Sequence, residues 1–307
     1  MAKLGAKEGS FAVRWQGRGT PVKTRCGRQS SSYIVSSDMN ITVGCTLGYQ
    51  ILSPTAHFTF NILVNTDAQQ RILGESVVCA PEVSSERLAS SKGNRVLRAD
   101  APAGAFELRY SATVEVIRPP LPGEVKHDHP GRLPLSILTY MLPSRYCESD
   151  RFTQIAFELF GKFDNRAEQV REICRWVDAN LEYKPGTTDS RTSAWDVWTL
   201  RKGVCRDYTH LAIALCRALN IPARYVGSYA AGLEPMDFHA GFEAYLAGAW
   251  HLFDPSDQIA PENTVVIARG RDAANAALTT IFGKVTGTQV KVSCAAAPAT
   301  LPGMQVA

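Results

Sequence analysis

The hydrophobic period of this chain changes once, and the change falls on a proline-rich stretch. From Ile41 the apolar residues alternate. Ile41, Val43, Cys45, Leu47, Tyr49 and Ile51 share one side, Phe58, Phe60, Ile62 and Val64 follow, and Phe106, Leu108, Tyr110, Ala112, Val114 and Val116 repeat the pattern. A period of two with turn residues between the runs predicts antiparallel strands. Residues 39–118 therefore read as a small all-β domain, sandwich-like or a meander. Arg118 to Pro134 then hold five prolines and two glycines in seventeen residues, the composition of a linker. Beyond it the period becomes helical. Asp164 is expected to cap a helix whose buried stripe is Val170, Ile173, Cys174, Val177 and Leu181. Ser193 to Leu200 reads as a short helix. Cys205 opens another, with Tyr208, Leu211, Leu215 and Ala218 as its apolar stripe, and Asn220 and Pro222 end it. Strands are expected at 224–229, 238–246 and 250–254. Helices followed by antiparallel strands make the second part α+β. The organisation expected is a tail at 1–38, a β-rich domain at 39–118, a linker at 119–134, a second domain at 135–295 and a flexible end at 296–307.

Charge and cysteine usage narrow the function. The chain of 307 residues carries 33 Lys+Arg against 29 Asp+Glu, a net +4. Residues 1–38 hold seven basic and two acidic residues, a net +5, which leaves −1 for residues 39–307. The body is near neutral and offers no basic face of the kind nucleic acid requires. No apolar run reaches the roughly 18 residues that cross a bilayer, so neither nucleic acid nor membrane is an expected partner. The tail is rich in Gly and Ser, has no sustained apolar period and is expected to be disordered. It also lacks the apolar core of a secretory signal. Eight cysteines are scattered singly without a C-x-x-C pair, so zinc is not expected and free thiols in a reducing cytoplasm are. His127-Asp128-His129 lies in the linker, where no ordered scaffold would support a metal.

One cysteine stands apart. Cys205 is at a predicted helix N-terminus, where unpaired N–H groups present about half a positive charge and favour thiolate over thiol. Ala247-Gly248 reads as a two-residue hairpin turn, which pairs Leu246 with Ala249 and Gly241 with Asp254. Strand alternation then puts His239 and Gly241 on one face, with His239 the diagonal neighbour of Asp254 at roughly 7–8 Å. Phe238, Ala240, Phe242 and Ala244 take the opposite, apolar face. Taken singly, a buried small cysteine, a structural strand histidine and an Asp-Pro turn explain these residues. Taken together they form a Cys–His–Asp set: Cys205 as nucleophile, His239 as the base that takes and returns the proton, and Asp254 as the group that orients the imidazole. The Cys205 backbone N–H is one oxyanion donor, and an indole N–H of Trp195 or Trp198 is a possible second. Asp207 in the first turn suits the helix dipole, Arg206 is expected to be exposed, and His210 and His251 point away from the set.

The segment Gly203-Val-Cys-Arg-Asp-Tyr-Thr-His-Leu-Ala to Val226 resembles the nucleophile block of the transglutaminase-like superfamily. Asp237-Phe-His-Ala-Gly-Phe-Glu-Ala-Tyr-Leu246 resembles its histidine block, and Trp250-His-Leu-Phe-Asp-Pro255 its aspartate block. The resemblance covers roughly residues 135–260 and implies a papain-like core, with Cys205, His239 and Asp254 on the family's catalytic positions and no cofactor or metal. It implies thiol-dependent acyl transfer on peptide or glutamine-type amides, either as hydrolysis by a cysteine peptidase or amidase or as transamidation. Peptides or proteins are the expected substrates. One departure stands out, since the family's His-Ala-Trp is here His239-Ala240-Gly241. Either another side chain fills the space of the indole or the acyl site is more open. The rival expectation is a catalytically silent module that binds peptides or protein partners. Gly270-Arg271-Asp272 resembles a tail motif of related bacterial proteins and reads as a turn with a solvated charge pair.

Overall fold

The computed structural model describes residues 39–90, 93–126 and 129–297. The tail at 1–38, His127 and Asp128 of the linker, and the chain from residue 298 lie outside the described residues. Four strands open the fold: β1 (Met39–Phe60), β2 (Gln70–Ala80), β3 (Ser85–Ala89) and β4 (Arg95–Val116). β1 and β4 are antiparallel, with Val43 opposite Ala112, Cys45 opposite Tyr110 and Leu47 opposite Leu108. The alternation predicts this register, because a slip of one residue would turn every apolar side chain outward. Ile41, Val43, Leu47, Phe58, Leu108 and Val114 are all buried.

The linker packs onto the first long helix. Short helices α1 (Leu135–Leu138) and α2 (Thr153–Phe160) precede α3 (Arg166–Asn180). Asn165, not Asp164, caps α3. Its Oδ1 accepts from the Ala167 N–H at 3.0 Å and the Val125 N–H at 3.2 Å, and its Nδ2 donates to the Gly123 carbonyl at 2.8 Å. A carboxylate has no donor for that last bond, and so only an amide ties the linker to the helix in both directions. Next come the two-residue strand β5 (Glu182–Tyr183), α4 (Ala194–Leu200), the two-residue strand β6 (Lys202–Gly203) and α5 (Cys205–Ala218). Ser193 and Asp196 form a reciprocal capping box at the start of α4. Residues Asp207 to Arg217 of α5 are buried on every side rather than along one stripe. That burial makes α5 the central helix of the second half. It packs on α2, α3 and α4 and on strands β7 (Ala223–Ala230) and β8 (His239–Leu246). Asn220 ends it in the left-handed region at φ 59°.

β9 (Ala249–Phe253) and β10 (Thr264–Gly270) complete a second sheet in the order β10-β7-β8-β9. The chain then returns to the first sheet. β11 (Thr279–Phe282) and β12 (Val285–Ala297) both pair with β1, on the edge opposite β4. The two sheets meet across a polar seam. The Gln70 side chain donates to the Val266 carbonyl at 2.7 Å and accepts from the Val266 N–H at 2.9 Å. Asn94 does the same for Arg269, at 2.7 and 2.8 Å. Two side-chain amides, with the Asn65 N–H on the Val266 carbonyl at 3.0 Å, thus satisfy backbone groups on the outer edge of β10.

Candidate active site

The start of α5 is fixed by its own first turn. Val204 is the extended N-cap at φ −118° and ψ −179°, and Cys205 is the first helical residue. The Asp207 carboxylate reaches back to accept from the Val204 N–H at 2.9 Å and takes the Thr188 hydroxyl at 2.6 Å. It is fully buried. A Cβ at Gly203 would stand 2.6 Å from the Asp207 Cβ, so only glycine allows this close approach. Arg206 is half-buried rather than exposed, and its guanidinium bonds the Asp189 carbonyl and lies 3.4 Å from the Asp207 carboxylate.

The hairpin brings the other two groups together. Ala247 and Gly248 have φ of 50° and 84°, the two positive values of a type I′ turn. Leu246 faces Ala249 and Phe242 faces Phe253, the register expected from the turn. His239 Nε2 lies 2.9 Å from Asp254 Oδ2. Asp254 sits just past β9 in a cage of donors. Oδ1 accepts from the Ser256 N–H at 2.9 Å and the Ser256 hydroxyl at 2.7 Å. Oδ2 also accepts from the N–H groups of Gln258 at 3.1 Å and Ile259 at 2.9 Å. The Asp-Pro turn read from the sequence therefore also carries the carboxylate that meets His239.

The electrostatics follow from burial and pairing. The His239 and Asp254 side chains are 2% and 9% exposed. Burial opposes charge on His239, but the hydrogen bond to Asp254 and the adjacent Cys205 side chain outweigh it, and its pKa is pushed up to about 10. Burial likewise works against the Asp254 carboxylate, yet His239 and Ser256 hold its pKa below the ordinary 3.8. His239 Nδ1 is buried and makes no hydrogen bond of its own. Cys205, half-buried, is close enough to act on the imidazole. The sequence-predicted cysteine, histidine and aspartate thus meet at one place. Two residues that the sequence reading left out stand beside them: Tyr183 pairs opposite Gly203, two residues before Cys205, and the Gln258 N–H belongs to the cage on Asp254. A two-residue strand and an exposed loop glutamine leave no periodic signal from which to find them.

Residues 153–255 match the model of the transglutaminase-like superfamily core. The crystal structure of a candidate cysteine protease from Cytophaga hutchinsonii is 38% identical, covers 89% of this chain and 95% of its own, and aligns with a TM-score of 0.81. The chain belongs to the transglutaminase-like superfamily. An uncharacterized protein of Mycobacterium leprae is 32% identical over 120 residues, 35% of this chain and 42% of that protein. An uncharacterized protein of Mycobacterium tuberculosis is 32% identical over 123 residues, 39% of its length. The chain thus spans about two fifths of the length of these curated relatives.

The superfamily's tryptophan position after the histidine has a backbone explanation here. A Cβ at Gly241 would lie 2.7 Å from the Phe253 carbonyl oxygen. Main chain crowds the first carbon of any side chain at this position, with Leu252 Cδ1 the nearest side-chain atom at 3.9 Å. The other expectations divide. Trp195 and Trp198 pack against Phe152 at 5.3 and 5.8 Å, and Trp198 stacks on Trp176 at 5.1 Å. His210 lies between the rings of Tyr146 and Tyr225, and burial drives its pKa down to about 3. Asp272 corrects the reading of a solvated pair. It is 2% exposed, accepts from the N–H groups of Tyr146 and Ala274 at 3.0 Å, and is held below 3.8 against its burial by these bonds and by Ser144. Among the described residues no helix is long and apolar enough to cross a membrane, and no group of three or more His, Cys, Asp or Glu is placed to hold a metal ion.

Proposed function

We propose that the protein carries out thiol-dependent acyl transfer on peptide amides, with Cys205 as nucleophile, His239 as acid and base, and Asp254 as the orienting carboxylate. The observation that carries this reading is the His239–Asp254 pair at 2.9 Å, with Cys205 beside the same imidazole. An imidazole with its pKa near 10 holds a proton at neutral pH, which suits the general acid that the leaving amine needs. The sulfur attacks the amide carbonyl carbon, the C–N electron pair leaves with the amine, and His239 gives its proton to that nitrogen. Water deprotonated by His239 then attacks the thioester and releases the acid and the thiol. Capture by an amine instead of water gives transamidation. Hydrolysis is favoured because it requires no acceptor site. A cleft of about 420 Å³, lined by Met236, Asp237, Val290, Lys291 and Val292, opens beside the segment that leads into β8 and His239.

Alkylation tests the nucleophile. The six other described cysteines (Cys45, Cys79, Cys147, Cys174, Cys216 and Cys294) all have pKa values raised by burial. Iodoacetamide at neutral pH should therefore label Cys205 well ahead of them, and Cys205→Ala should remove the fast phase. Uniform slow labelling would instead favour a silent peptide-binding module. A peptide library scored by mass then separates hydrolysed from amine-linked products.

A further inference from the structure

We infer that Ser256 is a positioning residue of the site: its hydroxyl and its own backbone N–H together clamp Oδ1 of Asp254, so that the carboxylate stays an anion and Oδ2 stays aimed at His239. The inference rests on the acyl-transfer reading above and names the group that keeps its orienting carboxylate in place.

The two oxygens of Asp254 have different neighbours. Among the described residues Oδ1 accepts from Ser256 alone, from the hydroxyl at 2.7 Å and the N–H at 2.9 Å. Oδ2 faces His239 Nε2 at 2.9 Å and accepts from the N–H groups of Gln258 at 3.1 Å and Ile259 at 2.9 Å. Ser256 is 6% exposed and the Asp254 side chain 9%, so little water reaches a bond that is lost here. Among the described residues the ion-pair partner of Asp254 is His239. The other titratable groups around it, Cys174 of α3 and Asp257 of the same turn, do not bond Oδ1. The rest of its charge is offset by neutral dipoles. Three of these are backbone N–H groups, which any residue but proline supplies. The Ser256 hydroxyl is the one that depends on a side chain.

This arrangement bears on the reaction in two ways. A carboxylate can turn about its Cβ–Cγ bond and present either oxygen to an imidazole. Two donors from one residue hold Oδ1 and block that turn. Donors that carry no charge also keep the carboxylate ionised while His239 passes its proton to the leaving amine, so Asp254 orients the ring without taking the proton itself. Both bonds from Ser256 help to hold the Asp254 pKa below 3.8 against burial. Without the hydroxyl, Oδ1 keeps a single N–H, the carboxylate binds a proton more readily and its rotation is freed.

Two measurements separate positioning from packing. Ser256→Ala removes the hydroxyl and keeps the N–H, whereas Ser256→Thr keeps both donors. One readout is the Asp254 titration followed by carboxyl-carbon NMR. The other is acylation of Cys205 by p-nitrophenyl acetate at neutral pH, in which a sulfur–carbon bond forms and p-nitrophenolate leaves with the electron pair of the broken ester bond. Ser256→Ala should move the titration upward and slow the p-nitrophenolate burst about tenfold, the size of one hydrogen bond to a charged group. Ser256→Thr should match wild type in both. An unmoved titration in Ser256→Ala would mean that the hydroxyl does not hold the anion, and an unchanged burst would mean that it positions nothing the reaction uses. Either result overturns the assignment, and so does a Ser256→Thr variant that fails as Ser256→Ala does. If wild-type protein gives no burst and Cys205 resists iodoacetamide, the nucleophile reading fails instead. The carboxyl titration needs no reaction, so it tells that failure apart from a failure of Ser256 to hold Asp254.

Discussion

A single imidazole between a carboxylate and a sulfur sets the charge state of the site. Burial alone pulls the His239 pKa below its ordinary 6.5, and the partners lift it to about 10. A group whose pKa is raised on folding stabilises the fold fully below its unfolded value and loses that contribution as pH rises through the folded value. The His239 share is therefore complete below about pH 6.5 and gone above about 10. Asp254 has the opposite sign: its pKa is depressed, so its share is present above 3.8 and is lost on acidification. Asp254→Asn removes the strongest upward influence and leaves burial opposed by Cys205 alone. The His239 ring in that variant should titrate well below 10 when followed by NMR, and the loss of stability against wild type should shrink as urea titrations move from neutral pH to above about 10. A ring that still titrates near 10 would show that Asp254 is not its partner.

At the scale of the element, a tight turn and a missing side chain hold the β8–β9 hairpin in register. The Ala247-Gly248 turn fixes the pairing, and the pairing fixes which residues share the face of His239. Gly241 sits on that face against the Phe253 carbonyl, one residue before Asp254. Gly241→Ala puts a methyl 2.7 Å from that oxygen, so the strand must shift at the point where Asp254 leaves it. The expected cost is about 1–3 kcal/mol by urea denaturation, together with slower labelling of Cys205. A variant as stable and as reactive as wild type would mean that the close approach is not what selects glycine. α5 begins on similar terms, since Gly203 and Asp207 share one tight turn.

For the whole molecule, the chain leaves the first sheet, builds the helices and the second sheet, and returns through β11 and β12 to pair with β1. The two sheets are joined by amide side chains that stand in for a neighbouring strand on β10. Behind them Glu243, 1% exposed, is held between Arg224 at 2.5 Å and Arg269 at 3.0 Å, and Arg269 reaches Asp67 at 2.7 Å. These ion pairs hold the Glu243 pKa low against its burial. Gln70→Ala would strip the Val266 N–H of its partner and leave the Val266 carbonyl with the Asn65 N–H alone, at a cost of about 1–3 kcal/mol. Its urea transition should move to lower concentration while staying single, with tryptophan fluorescence and far-UV circular dichroism coincident. Two separated transitions would mean that the sheets unfold independently and that the seam does not couple them.

What the sequence determined lies at short range. Alternation placed the buried faces of β1 and β4, Asn220 ended α5, and a two-residue turn set the register that brings His239 to Asp254. Each of these depends on residues a few positions apart, and local geometry transmits it. The tertiary structure alone decided the rest. Asn165 replaced Asp164 as the cap because its partner Gly123 lies 42 residues away. Asp272 turned from a solvated charge into a buried cap because Tyr146 and Ser144 fold over it. The Phe253 carbonyl, Tyr183 and the Gln258 N–H reached the site from separate strands and loops. No period along the chain encodes such meetings, because contact between distant segments is fixed only when the two sheets and the helices between them pack.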